Sequence, residues 1–372
     1  MTTIAYDHQI FALQQFGGIS RYICEIATHV GQCQDWRSVV VAPLHYNDHL
    51  ASSSVARMGM HLPLRTPRAM RLYFAINALL SGPLQWATRA DLLHRTYYSA
   101  KPRPRHGRLV VTVHDMIHEL FPQHFQPDDP VREHKRLSVE AADHVICVSQ
   151  NTADDLMRIL NVPRSKISVT HLGFSQAFSE NAGLPGSREL PISRRPYLLY
   201  VGHRARYKNF ARVFDAYIGS ARLQRDFDLV AFGGFPFTAD EQAKIAGLQL
   251  RADAVRHQAG SDAVLANLYA NAQVLVYPSE YEGFGIPPLE AMSCGCPVAC
   301  SRSSSIPEVV GDAAEFFDPA SVDSIRAALE RLAGDDTRRR SLIAAGHLQS
   351  KRFSWDKCAK DTVATYSKVL EA

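Results

Sequence analysis

The 372-residue chain has no window near the roughly eighteen uninterrupted apolar residues that a membrane-crossing helix needs. Its first residues, Met1-Thr2-Thr3-Ile4-Ala5-Tyr6-Asp7, lack the basic and apolar regions of a secretory signal, so the expected location is the cytoplasm. Charge surplus is small too. Against 41 Lys and Arg stand 37 Asp and Glu, and a net charge of +4 does not by itself argue for a nucleic-acid partner. Basic residues form separate short patches rather than one continuous face with stacking aromatics, which excludes nucleic acid further. Neither the dinucleotide fingerprint Gly-x-Gly-x-x-Gly nor the phosphate loop of nucleotide hydrolases occurs, which weakens dehydrogenase and ATPase readings. The seven cysteines are odd in number and scattered, the pattern of reduced thiols rather than of a disulfide framework. Cys294, Cys296 and Cys300 lie close together but match no zinc spacing, and read as small buried residues at a helix end and in a strand.

What is there is the composition of a folded protein, 46% hydrophobic and 21% charged, at a length that fits two domains. Short β-branched runs alternate with helical stretches, the signature of parallel sheets covered by helices. A first series runs through residues 3–6, 38–41, 92–94, 109–113, 144–148 and 167–169. Between Ser179 and Pro196 the chain is rich in Gly, Pro, Ser and Arg with no sustained apolar period, which places a linker at 181–196. A second series starts at Tyr197 and continues through 228–232, 274–277 and 297–300. The expectation is an α/β protein of two Rossmann-like units, 1–180 and 197–353, with a last helix in 354–372 packing back toward the first. Ligands of such sheets bind beyond the carboxyl ends of the strands, so two facing units would form a cleft.

The most informative segment is Ser279-Glu280-Tyr281-Glu282-Gly283-Phe284-Gly285-Ile286-Pro287-Pro288-Leu289-Glu290. Glu282 and Glu290 straddle a flexible Gly-Phe-Gly turn and the start of a helix that Pro287 and Pro288 can open. A helix N-terminus offers unpaired N–H groups to a phosphate, glycines allow close approach, and the flanking carboxylates can accept hydrogen bonds from sugar hydroxyls. Gly202 ends the first strand of the second series and is followed by Arg204, Arg206 and Lys208, cations suited to a diphosphate although basic loops are commonly just solvated. Gly17 and Gly18 stand at a strand-to-helix junction near the N-terminus, where backbone can again approach a ligand. His114 ends the strand 109–113 and is placed to meet a substrate or to serve as a structural hydrogen-bonder. His118 lies four residues on, but His-Glu-x-x-His is missing and no third ligand is evident, so no metal site is expected. Asp226-Phe227-Asp228 has the Asp-x-Asp spacing of metal-dependent sugar transferases, yet it opens a strand and should lie at the far end of the sheet from the ligand. Two basic stretches, Arg65 to Phe74 and Lys101 to Arg108, suit either an anionic membrane surface or an ordinary solvated face.

In combination these residues resemble the retaining glycosyltransferases of family 4, with GT-B architecture, over nearly the whole chain. Glu282 to Glu290 matches that family's Glu-x-seven-Glu motif, and Ile306-Pro307-Glu308-Val309-Val310-Gly311-Asp312 matches the segment that commonly follows. Tyr6-Asp7-His8-Gln9 with Gly17-Gly18-Ile19-Ser20-Arg21-Tyr22, and Thr112-Val113-His114-Asp115, look like members that build bacterial O-antigen, capsule or exopolysaccharide, often from mannose-type donors. The resemblance implies a nucleotide-sugar donor, GDP-mannose favoured over UDP- or TDP-sugars, and a glycan or lipid-linked acceptor, with no metal. It implies that Glu290 holds the ribose hydroxyls, that Glu282 holds those of the donor sugar, and that the backbone from Gly283 through Phe284 and Gly285 to Ile286 lines the sugar and phosphate. Arg204 and Lys208 would neutralise the leaving diphosphate, with Arg206 sharing or taking the role of Arg204. Gly17 and Gly18 would lie beside the diphosphate or acceptor, and His114 near the reacting sugar. Two other readings use the same residues: a nucleotide-sugar epimerase, whose proton-abstracting carboxylates are not evident, and a non-catalytic nucleotide-sugar-binding partner, which should have lost Glu282, Glu290, Lys208 or His114.

Overall fold

The structure, a computed structural model, describes all residues except Arg65, Arg105, 181–194, Ala205, Gln249 and Ala252, and only the backbone of Ser179 and Glu180. Apart from Arg195 and Pro196, the linker expected at 181–196 therefore lies outside the described residues, as do Arg65 and Arg105 of the two basic stretches. The chain divides into one unit of Met1–Gly173 with Ser354–Ala372 and a second of Phe174–Phe353.

The first unit is built on seven strands, β1 Thr2–Tyr6, β2 Trp36–His45, β3 Arg57–His61, β4 Leu92–Arg95, β5 Arg108–Val113, β6 His144–Cys147 and β7 Ile167–Val169. They pair in parallel in the order β3-β2-β1-β4-β5-β6-β7. Central strands such as β5 are apolar on both faces because helices cover both, and Leu109 to Val113 is buried throughout. The helix Gly18–Gln32 sends Tyr22, Ile23, Ile26, Ala27 and Val30 inward at helical spacing and packs on β2. It also packs on the final helix, Trp355–Glu371, which belongs to this unit. Tyr366 of that helix reaches the sheet, where its hydroxyl bonds the Tyr6 hydroxyl at 3.2 Å and His94 Nδ1 at 2.5 Å.

Four histidines of this unit are held neutral by burial, which lowers the pKa of His94 to about 3 and those of His45, His114 and His144 to about 4. Each takes up its proton more readily in the unfolded chain, whose histidines titrate near 6.5. Their contribution to stability is therefore complete above about pH 6.5 and is lost as the pH falls toward 4. Each such histidine costs up to about 1.4 kcal/mol per pH unit within that window. Trp36, Trp86 and Trp355, the chain's three tryptophans, all lie in this unit, so their emission isolates its unfolding. The urea midpoint read from that emission should fall steadily between pH 6.5 and pH 4.5, and a flat profile there would contradict the assignment.

The second unit has six parallel strands, β8 Tyr197–Val201, β9 Asp228–Phe232, β10 Val255–Gln258, β11 Val274–Tyr277, β12 Val298–Ser301 and β13 Ala314–Phe317, in the order β10-β9-β8-β11-β12-β13. Leu198, Val213, Tyr217, Leu229, Val276 and Leu329 meet in its core. At the amino end of β9, Asp228 is buried and paired with Arg251 and with Arg256 at 3.0 Å, while Asp226 pairs with its neighbour Arg225 at 2.8 Å. The two aspartates are thus taken up by arginines at the end of the sheet away from the strand tips. The seven thiols are free, and all but Cys33 are buried.

Candidate active site

In the second unit the strand order reverses between β8 and β11. These strands are neighbours, but the chain leaves them toward opposite sides, and the diverging loops open a crevice at their carboxyl ends. Lys208 closes the single turn Arg206–Lys208 that follows β8, and Glu282 lies in the loop that follows β11. The structure brings them together, Lys208 Nζ standing 2.7 Å from Glu282 Oε1. Several bonds fix this approach. Asn209, with φ at +60°, donates from Nδ2 to the carbonyls of Pro278 at 3.1 Å and Pro319 at 2.8 Å. The Glu280 amide donates to the Tyr207 carbonyl at 2.8 Å, and the buried Tyr200 hydroxyl donates to the Lys208 carbonyl at 3.2 Å. The pair is partly shielded, with side chains 23% and 10% exposed, which strengthens its field without closing it off.

Beyond Glu282 the backbone turns into the helix Ile286–Ser293 through Gly285, whose φ of +103° is disfavoured for any residue with a side chain. Ser305 Oγ donates to the carbonyls of Glu282 at 2.9 Å and Phe284 at 2.8 Å, and the Glu282 amide donates to Ser304 Oγ at 2.9 Å. This serine pair clamps the Gly-Phe-Gly turn from behind. Pro287 and Pro288 carry no N–H, so the amides that open the helix are those of Gly285 and Ile286, and neither has a partner within it. One helical turn on, the buried carboxylate of Glu290 accepts from the Tyr269 hydroxyl at 3.2 Å. We expect Gly285→Ala to cost about 1–3 kcal/mol of stability through backbone strain alone, because a Cβ there would meet nothing closer than Tyr277 at 3.7 Å. Chemical denaturation of the variant measures it, and an unchanged midpoint would show that the turn relaxes freely.

Arg204 is not brought to this pair. Its Nε lies 3.0 Å from Glu241 Oε1, it donates to the Pro236 carbonyl at 2.8 Å, and its guanidinium stacks 4.7 Å from the Phe237 ring centre. The competing partners come from the segment after β9, more than thirty residues along the chain, where Glu241 also completes the cap of its own helix with Thr238. Arg206 is exposed at the start of the turn that carries Lys208, with φ at +61°.

In the first unit, His114 follows β5. Its amide donates to the Tyr98 hydroxyl at 3.2 Å, and its ring lies edge-on to Tyr22 at 5.4 Å. Burial outweighs the opposing pull of Asp115 and leaves the imidazole neutral at pH 7, with a pKa lowered to about 4. His118 instead stacks on Phe125 at 3.8 Å, and no metal-holding group of His, Cys, Asp and Glu occurs among the described residues. Gly17 caps the helix that starts at Gly18. A Cβ on Gly18 would meet nothing within 4 Å, whereas one on Gly17 would press 2.2 Å from Gln14 Oε1. Sequence reasoning passed over Asn209, Tyr269, Ser304 and Ser305. The polar run Arg302-Ser303-Ser304-Ser305 just before Ile306-Pro307-Glu308 hints at the two serines, and nothing local marks Asn209 or Tyr269.

The chain is similar to known proteins. The family profile described as glycosyl transferases group 1 matches residues 187–349, and the one described as glycosyltransferase family 4 matches residues 16–177. Over 267 residues, 70% of each chain, the sequence is 34% identical to O-antigen chain mannosyltransferase B of Escherichia coli. Over 284 residues it is 28% identical to the serotype-specific mannosyltransferase WbdA of Escherichia coli, which covers 71% of this chain but 34% of that longer one. Sucrose-phosphate synthase from Thermosynechococcus elongatus superposes over 100% of both chains with a TM-score of 0.76 at 19% identity. The chain belongs to the family 4 glycosyltransferases and has their GT-B fold of two Rossmann-like domains.

Proposed function

We propose that the chain is a retaining mannosyltransferase that moves mannose from GDP-mannose to a glycan or lipid-linked glycan during synthesis of a bacterial surface polysaccharide. The Lys208–Glu282 pair at the reversal of the second sheet, next to the amides opening the helix Ile286–Ser293, carries this reading. The mannosyltransferases among its relatives favour mannose as the sugar. In this reading Glu290 accepts from the ribose hydroxyls, Glu282 accepts from hydroxyls of the sugar, and the backbone of Gly283, Phe284, Gly285 and Ile286 follows the sugar and phosphate. Breaking the bond between anomeric carbon and phosphate oxygen builds negative charge on the diphosphate as the sugar becomes oxocarbenium-like. Lys208, the exposed Arg206 and the helix-opening amides meet that charge, each preorganised donor being worth roughly 3 kcal/mol of barrier. No metal is then required. Arg204 would first have to leave Glu241, so its part is secondary.

The acceptor hydroxyl attacks from the face that the phosphate leaves, and its proton passes to the departing phosphate oxygen. Configuration is therefore retained without an enzyme nucleophile. Glu282 is engaged by Lys208, and the two carboxylates are distributed along the donor rather than flanking one bond as in retaining glycosidases. Neutral His114, with Gly17 and Gly18, suits hydrogen bonding to sugar hydroxyls and phosphate. Thermal unfolding with GDP, UDP and TDP tests the choice of donor. A ligand at about 100 times its dissociation constant adds roughly 2.7 kcal/mol, so GDP should raise the melting temperature while UDP and TDP leave it in place. A shift with UDP or TDP alone would overturn the choice of GDP-mannose.

A further inference from the structure

The first unit buries an ion pair that takes no direct part in the chemistry described above. Lys135, on the helix Val131–Ala141, has a fully buried side chain, and its ammonium stands 2.7 Å from Glu119 Oε2, whose side chain is 2% exposed. Taking two such groups out of water is costly, and apolar side chains of similar size commonly fill such a space as well or better. What sets this pair apart is a third partner.

Lys135 grips the turn that carries His114. Its Nζ donates to the Asp115 carbonyl at 2.9 Å and lies 5.3 Å from the centre of the Tyr98 ring, within reach of a cation–π contact. The Tyr98 hydroxyl in turn accepts from the His114 amide at 3.2 Å. One ammonium thus holds the step His114-Asp115 on both sides, the carbonyl directly and the amide through the ring. The Asp115 carboxylate, 3.8 Å from the same nitrogen, accepts from the Ile117 amide at 3.0 Å and leads the turn into the helix Ile117–Leu120, which carries Glu119. Residues 114–116 lie between β5 and that helix with no ladder of their own, so contacts of this kind set their shape. The ammonium also acts in the same direction as burial, against protonation of the His114 imidazole.

We propose that Lys135 is a positioning residue for sugar transfer, holding the His114-Asp115 turn so that the imidazole keeps one orientation toward the sugar. The proposal rests on the reading of His114 as a sugar contact and adds the group that sets the geometry of that contact.

The test combines Lys135→Met with Glu119→Leu, which removes both buried charges and strands neither. Hydrogen exchange should show the His114 and Ile117 amides, bonded to Tyr98 and Asp115 in wild type, exchanging about tenfold faster or more. In transfer, kcat should fall about ten- to a hundredfold, the cost of a misplaced group, while the donor KM stays within about threefold. Because Lys135 acts through His114, the same two changes in a His114→Ala background should cost less than about a further twofold, whereas independent damage to the fold would multiply. Glu119→Gln alone leaves the lysine on the Asp115 carbonyl and should keep kcat within about threefold of wild type. With His114→Ala slow, the proposal is overturned by unchanged exchange or unchanged kcat in the double variant, by a loss that multiplies with His114→Ala, or by a Glu119→Gln variant slowed about tenfold or more. Failure of the sugar-contact reading has a different signature. His114→Ala would then transfer as fast as wild type, while hydrogen exchange, which needs no substrate, still decides whether Lys135 holds the turn.

Discussion

Lys208→Ala should lower kcat/KM for sugar transfer by about a hundred- to a thousandfold, the usual cost of removing one preorganised group from a developing negative charge. Lys208 is fixed at both ends. Its backbone carbonyl is held by Tyr200, and its ammonium by Glu282 at 2.7 Å, so little reorganisation is needed as the charge develops. A purely structural role would have a different signature. Removing the lysine also strands a carboxylate that is only 10% exposed, and that alone could distort the loop. Combining Lys208→Ala with Glu282→Gln separates the two explanations. If Lys208 served only to neutralise Glu282, the double variant would be no slower than Glu282→Gln alone. We expect it to be at least tenfold slower than Glu282→Gln, and equal rates of the two would reject the catalytic assignment.

Glu290→Ala should raise the donor KM at least tenfold and change kcat much less. The carboxylate is assigned to ribose hydroxyls, which are remote from the bond that breaks, so its interactions are equally strong in ground and transition states. Tyr269→Phe provides the control. It removes one hydrogen bond of 3.2 Å to Glu290 while keeping the ring that fills the core, and its effect should be well below that of Glu290→Ala. Steady-state kinetics with donor varied at saturating acceptor makes the comparison. A loss in kcat with KM unchanged would move Glu290 to the reacting centre.

Much of this site could be read from residue types and local spacing, because its parts are local. Glu282 and Glu290 share one turn and one helix, and Lys208 stands a few residues past a strand whose apolar run is plain in Tyr197 to Val201. What escaped reading depends on distant partners. The capture of Arg204 by Glu241 and Phe237, the clamp from Ser304 and Ser305, and the bonds from Asn209 to Pro278 and Pro319 all join segments separated by 21 to 110 residues. The strands tell the same story. Central strands were visible as apolar runs, whereas β3 (Arg-Met-Gly-Met-His), β10 (Val-Arg-His-Gln) and β13 (Ala-Glu-Phe-Phe) were not, and all three lie at sheet edges. β3 and β10 are largely unburied and carry Arg57, His61, Arg256 and His257, while in β13 the buried Glu315, paired with Arg331 and Arg338, interrupts the apolar run.

The most direct test of the whole account is a proton NMR time course of the purified chain with GDP-mannose and a mannose-terminated acceptor in the presence of EDTA. We predict GDP released in step with a new α-linked mannose, and no change to the donor when the acceptor is left out. A β-linked product, isomerisation of the donor sugar without acceptor, or dependence on added metal would each contradict it.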